Sequence, residues 1–199
     1  MTTVLGLTGG IATGKSTVAK MFLEKGIPLI DTDKISRDLL KKGNEGYLEV
    51  LKFFKEDILL TNNEINRKLL GRIIFSNAQK REKLNEIMHP KVINIVEAEI
   101  KKHKELGTHY VVVDVPLLFE SKFDAITDKV IVVHVSEEQQ LSRLIDRDNI
   151  KPEYAKLKIE AQMSMEKKVE LSDFVIDNSK SILQTKKDFN RVLEELGVE

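Results

Sequence analysis

An α/β fold, with a parallel β-sheet flanked by helices on both faces, is predicted by three observations. Short apolar runs recur along the chain, they are nearly continuous rather than alternating, and amphipathic helical patterns lie between them. A strand buried on both faces reads in this way, and parallel strands need a crossover between them. The runs are Val4–Thr8, Pro28–Ile30, Tyr110–Val115 and Lys129–Val135, with a fifth at Phe174–Ile176.

The helices between these strands have readable ends. After the first strand, Val18, Met21 and Phe22 form one stripe that stops at Gly26, with Pro28 just beyond. A second helix begins near Asp33, carries Ile35 and Leu39 on one face, and stops at Gly43. Residues 44–106 then form an unusually long helical stretch with stripes at Tyr47, Leu51 and Phe54, at Leu69, Leu70 and Ile73, and at Val92, Val96 and Ile100. A crossover needs only one helix, so this segment is expected to be an insertion with a surface of its own. Ser136 with Gln139, and Ser181 with Gln184, are capping-box signals for helices over 137–147 and 182–196. Pro152 marks the start of another helix.

Composition removes several function classes. Among 199 residues, 32 Lys and Arg balance 32 Asp and Glu, which argues against a protein whose task is neutralising a nucleic-acid backbone or an anionic membrane. The absence of cysteine excludes disulfides, a thiolate nucleophile and thiolate-bound metal, and it suits a reducing cytoplasm. No run approaches the roughly 20 apolar residues of a membrane span, and Met1-Thr2-Thr3 does not read as a signal peptide.

The sharpest motif is Gly9-Gly10-Ile11-Ala12-Thr13-Gly14-Lys15-Ser16-Thr17, which fits G-x-x-x-x-G-K-[ST] between an apolar strand and an amphipathic helix. Its backbone must turn N–H groups around a phosphate, which glycine permits, and the following helix adds the positive end of its dipole. The fold expected is therefore that of a P-loop NTPase. Lys15 would bridge the β- and γ-phosphates, and Ser16 would offer its hydroxyl to Mg²⁺. A partner acid is expected at the end of a later strand, where Asp114 stands; it would hold Mg²⁺ directly or through water, or cap a turn.

The Asn-Lys-x-Asp segment of GTPases and the signature loop of transport ATPases are both missing, which leaves a small-molecule kinase. Such an enzyme needs an acid for the acceptor hydroxyl and arginines over the phosphates. Asp31-Thr32-Asp33 ends the second strand, on the edge where parallel sheets bind ligands. One of these carboxylates accepts the hydroxyl proton, or Asp33 caps the next helix; both readings stand. Arg143 and Arg147, four apart, share a helix face and either cover phosphate or pair with Asp146, Asp148 or Glu138. The turn at Asp177-Asn178 is a candidate neighbour of the adenine.

Together the motifs resemble the dephospho-CoA kinase family. The resemblance rests on Leu7 to Ile11 leading into Gly14 to Thr17, Ile30 to Asp33, Asn66 to Gly71 with Phe75, and Leu84 to Pro90. It continues through Asp114 to Glu120, Gln140 to Arg143 with Arg147-Asp148, Ala161-Gln162 and Asp173 to Asn178, leaving only the last helix unassigned. It implies ATP-dependent, Mg²⁺-assisted phosphorylation of the ribose 3′-hydroxyl of dephospho-CoA. It also implies a nucleotide core, a helical acceptor-binding insertion over 44–106 and a helical lid over 137–171. By matching position, Ala12, Thr13, Gly14, Lys15, Ser16 and Thr17 bind ATP phosphate, Asp33 is the base and Arg143 the lid arginine. His89 and Pro90 line the acceptor side, and Arg67 and Leu117 fall in matched segments counted with it. Three positions depart from the pattern: Thr32 stands where the family often has Ala, and Met165 and Lys168 where members can carry arginine.

The partners expected are the small molecules ATP and dephospho-CoA, with neither nucleic acid nor membrane, and the chain itself a monomer or weak homo-oligomer. Residues 52–104 hold 12 Lys and Arg against 7 Asp and Glu, so the insertion is basic within a neutral chain and suited to an anionic acceptor.

Overall fold

A computed structural model describes residues 2–198, the side chain of Glu56 excepted. Among the described residues the sheet has five strands: β1 (Thr3–Gly9), β2 (Leu29–Asp31), β3 (Tyr110–Asp114), β4 (Lys129–His134) and β5 (Phe174–Asp177). Their order is β2-β3-β1-β4-β5, and β1 pairs in parallel with both β3 and β4, as β4 does with β5. The register sets Leu7 opposite Asp114 and Gly9 opposite Val133, so the end of β1 is flanked by the ends of its neighbours.

Among the described residues nine α-helices follow in chain order. They are α1 (Lys15–Glu24), α2 (Thr32–Leu39), α3 (Glu45–Phe54), α4 (Arg67–Ser76), α5 (Ala78–Glu105), α6 (Glu137–Asp148), α7 (Pro152–Glu160), α8 (Met165–Glu170) and α9 (Ile182–Leu196), with 3₁₀ turns besides. The capping signals act as their sequences suggest. The hydroxyl of Ser136 accepts from the Gln139 N–H, that of Ser181 accepts from the Gln184 N–H, and Pro152 occupies the first turn of α7.

The chain divides into two compact units: residues up to Ile30 together with those from Ile100 onward, and Asp31–Glu99. The helical unit begins earlier than position 44 because α2 packs on α3; a Cβ on Gly46 would stand 2.9 Å from the Leu39 carbonyl oxygen. Its interior is built from Tyr47, Val50, Phe54, Ile58, Leu70, Met88 and Val92. The Tyr47 hydroxyl, which cannot be buried without a partner, donates to the Asn63 carbonyl at 2.7 Å.

In the sheet unit, strand residues alternate between two covered faces, which is why the runs are apolar throughout. One face joins Leu5, Leu7, Val112, Ile131, Val133 and Ile176 to Val18, Met21 and Phe22 of α1 and to Phe189, Val192 and Leu193 of α9. Phe22 and Phe189 meet edge to face, centroids 4.8 Å apart at 81°. On the opposite face Gly6 leaves room for Leu118, whose Cδ1 would lie 2.6 Å from a Cβ there.

Phe22 is fully buried in this core, so Phe22→Ala removes a ring and leaves a cavity. It is expected to lower unfolding free energy by about 3–5 kcal/mol. Since the chain has no Trp, urea unfolding followed by far-ultraviolet circular dichroism is the suitable measure, and a loss below ~1 kcal/mol would contradict this packing.

Candidate active site

The loop between β1 and α1 is shaped by space as much as by torsion. Of its three glycines only Gly14 has positive φ, at 85°; Ala12 also stands in the left-handed region at 62°, which an alanine adopts at a cost of roughly 1–2 kcal/mol. A Cβ on Gly14 would come within 2.1 Å of Asn178 Nδ2. A Cβ on Gly9 would meet the Val133 backbone carbonyl at 2.9 Å, and one on Gly10 would displace the Gln140 side chain, whose Nε2 is 2.3 Å from that position.

Specific bonds hold that shape. Thr13 donates to the Gly10 carbonyl through its amide (3.2 Å) and its hydroxyl (2.9 Å), and Asn178 Nδ2 donates to the Thr13 carbonyl at 2.8 Å. Gln162 Oε1 accepts from the Ile11 amide at 2.8 Å, tying the segment before α8 to the loop. The first N–H groups of α1 have no intrahelical acceptor, and the helix dipole is positive there. The loop thus offers an oriented, electropositive cradle for an oxyanion.

Lys15, the first residue of α1, is bonded through Nζ to Asp114 Oδ1 at the end of β3. Both side chains are largely buried. Asp114 therefore keeps the ammonium at the mouth of the loop, where a polyphosphate can compete for it. Ser16 next to it is exposed, and Thr17 donates its amide to Gly14 within the turn.

Arg143 and Arg147 part company despite their spacing. Arg143 Nη2 donates to the Asn178 carbonyl at 2.9 Å, and its Nη1 is 3.9 Å from the position of a Cβ on Gly14, so this guanidinium lies beside the loop. Arg147 instead binds Asp148 at 2.8 Å, and Lys158 of α7 approaches the same carboxylate at 2.9 Å. Hydrogen bonds from Arg147 and then Lys158 hold the Asp148 carboxyl down to about 2. Of the two readings open for Arg147, the structure shows the pairing with Asp148 inside α6, and Lys158 joins that carboxylate to α7.

Lys168 and Met165 also have structural occupations. Lys168 is 0% exposed, with Nζ 2.9 Å from Glu120 Oε1 and 3.2 Å from the Pro116 carbonyl. Glu120 in turn accepts from the Met163 amide at 2.9 Å. Lys168 therefore fastens α8 to the segment after β3, and Met165 packs with its sulfur 2.9 Å from the place of a Cβ on Gly10. Leu117, in the same segment after β3, is exposed. Gln140, Gln162 and Glu120 received no role from the sequence. All three lie in motif-bearing segments, but what each touches is distant in the chain.

In the helical unit, the cap of α2 is Asp31, whose Oδ1 accepts from the Lys34 amide at 2.9 Å. Asp33 is not the cap: it is exposed in the first turn, and its carboxylate has no bonded partner among the described residues. Arg37 reaches back to Asp31 at 3.8 Å, at the start of α2, and Arg67 Nη2 donates to the Arg37 carbonyl at 3.0 Å, in the last turn of the same helix. His89 and Pro90 are both within α5; burial pushes the His89 imidazole below its ordinary value, favouring the neutral ring. Among the described residues no group of three or more His, Cys, Asp or Glu is arranged to hold a metal ion, and no helix is long and apolar enough to cross a membrane.

Comparison with known proteins agrees with this arrangement. The family model described as dephospho-CoA kinase matches residues 3–184. A dephospho-CoA kinase from Listeria monocytogenes is 45% identical over 183 residues, covering 92% of each chain. Two solved structures each align over 98% of both chains. A Thermus thermophilus protein, TT1252, superposes with a TM-score of 0.82 at 27% identity, and the dephospho-CoA kinase from Campylobacter jejuni with 0.73 at 28%. On this agreement of motif, fold and relatives, the chain belongs to the dephospho-CoA kinase family, a family of ATP-dependent kinases.

Proposed function

We propose that this chain transfers the γ-phosphoryl group of ATP to the 3′-hydroxyl of the ribose of dephospho-CoA, giving CoA and ADP as the last step of coenzyme A synthesis in the cytoplasm. The observation that carries the reading is the phosphate loop with Lys15 poised on Asp114 and Arg143 beside Gly14, in a chain whose family match spans residues 3–184.

Each residue has a role in this reading. The amides of Ala12 to Thr17 surround the phosphates, Lys15 moves from Asp114 to the β- and γ-oxygens, and Arg143 meets charge on the transferring group. Asn178 braces the loop from beneath; Arg147 serves the lid by holding Asp148. The hard oxygens of Ser16 and Asp114 fit Mg²⁺, which takes few protein ligands and is otherwise held by phosphate and water. When bound, the ion would neutralise phosphate charge.

On the acceptor side, Asp33 accepts the proton from the 3′-hydroxyl as its oxygen bonds to phosphorus and the bond to the ADP oxygen breaks. A carboxylate suffices because the transition state is loose and the proton leaves late. Asp31 positions α2, and Arg67 offers charge to an anionic acceptor. His89, Pro90 and Leu117 complete the acceptor contacts. Lys168 stays with Glu120 and makes no phosphate contact. The acting form is a monomer or weak homo-oligomer, and no nucleic acid takes part.

Purified protein with ATP and Mg²⁺ should release ADP when dephospho-CoA is added and not with nucleoside monophosphates. Turnover of the monophosphates in place of dephospho-CoA would refute the assignment. Asp33→Asn should retain ATP binding while kcat falls by about 100-fold or more, in the range of a lost general base. An unchanged kcat would remove Asp33 from that role.

A further inference from the structure

We propose that Thr185, on α9, is a positioning residue for the phosphate loop: its hydroxyl fixes the Asn178 side-chain amide that holds the loop carbonyl of Thr13. This rests on reading the loop as the site for ATP phosphate.

The argument is one of donors and acceptors. Asn178 Nδ2 lies 2.8 Å from the Thr13 carbonyl, and Thr185 Oγ1 lies 2.8 Å from Asn178 Oδ1. A backbone carbonyl can only accept, so the Asn178 amide must turn its NH₂ toward Thr13 and its oxygen toward Thr185. Thr185 must then donate. The other acceptors within its reach, the Ser181 carbonyl at 3.3 Å and the Asp177 carbonyl at 3.5 Å, are more distant.

Among the described residues, the Thr185 hydroxyl is the group that bonds the Asn178 side-chain oxygen. Thr185 is 0% exposed and Asn178 is buried, so water does not substitute. If the hydroxyl were lost, Asn178 would bury an unpaired oxygen or flip and set that oxygen against the Thr13 carbonyl, and either would loosen the loop. The amide that Thr185 orients is the same atom that comes within 2.1 Å of a Cβ position on Gly14, the residue that turns the loop into α1. Thr13 and Asn178 are 165 residues apart, so this relay ties the last helix to the phosphate loop across the length of the chain.

The test compares Thr185→Val, which keeps shape and removes the hydroxyl, with Thr185→Ser, which keeps the hydroxyl and removes a methyl. Calorimetric titration with ADP and steady-state kinetics with varied ATP are run on both and on the wild type. The valine variant should raise the ADP dissociation constant and the ATP KM about five- to tenfold, as expected for one buried hydrogen bond, while the acceptor KM stays within about twofold. The serine variant should stay within about twofold of wild type. Wild-type nucleotide constants in the valine variant would overturn the proposal, whatever its melting temperature. If valine does not fold, Thr185→Ala removes the same hydroxyl and is judged alike. Failure of both to fold also overturns the proposal, since the hydroxyl would then serve the core as a whole. A wild-type protein that binds no ADP would instead refute the nucleotide site itself.

Discussion

The left-handed turn at Gly14 is the constraint on which the rest depends. At φ 85°, with the Asn178 amide 2.1 Å from where a side chain would begin, this residue both turns the chain out of β1 and closes on the buried layer beneath. Because it turns there, Lys15 starts a helix whose first amides point into the loop, and its side chain reaches Asp114 on the neighbouring strand. Parallel pairing supplies the other half: β1 is flanked by β3 and β4, so Asp114 and the segment leading to α6 arrive at the same end of the sheet.

Neutrality of the chain reflects how its charges are held. Lys15 is held by Asp114, Lys168 by Glu120, and Arg147 with Lys158 by Asp148. These pairs differ in consequence. A lysine with no exposed surface is held in place, because leaving its partner would strand a charge in a poor solvent. Lys15 retains some exposure, and in the proposed reaction phosphate oxygens replace its carboxylate without that penalty. Burial, more than charge, separates a fastening cation from one that can meet a ligand.

Features governed by nearby residues were legible in the sequence. Strands buried on two faces leave continuous apolar runs, capping serines stand three residues from the amides they satisfy, and the loop requires glycines at fixed spacing. Asp114 was legible because a strand end is a position that can be counted. The roles that escaped depend on contacts across the chain. The bracing of Thr13 by Asn178, and the burial of Lys168 on Glu120 at a position where the family can carry arginine, are two such contacts. For Arg147 the sequence left phosphate and ion pairing both open, and the adjacent Asp148 is its partner in the structure. The capping reading fell on Asp33 where the structure has Asp31, because α2 begins at Thr32 and sequence locates such a boundary only within a residue or two.

The central claim is that the loop is already set for phosphate and that nucleotide draws Lys15 away from Asp114. A crystal structure of the chain grown with a non-hydrolysable ATP analogue and Mg²⁺ tests it most directly. The account predicts Ala12 and Gly14 still in the left-handed region, Asn178 still on Thr13, and Lys15 Nζ within hydrogen-bonding distance of phosphate oxygens. A rebuilt loop, or Lys15 still bound to Asp114 with the nucleotide elsewhere, would contradict it.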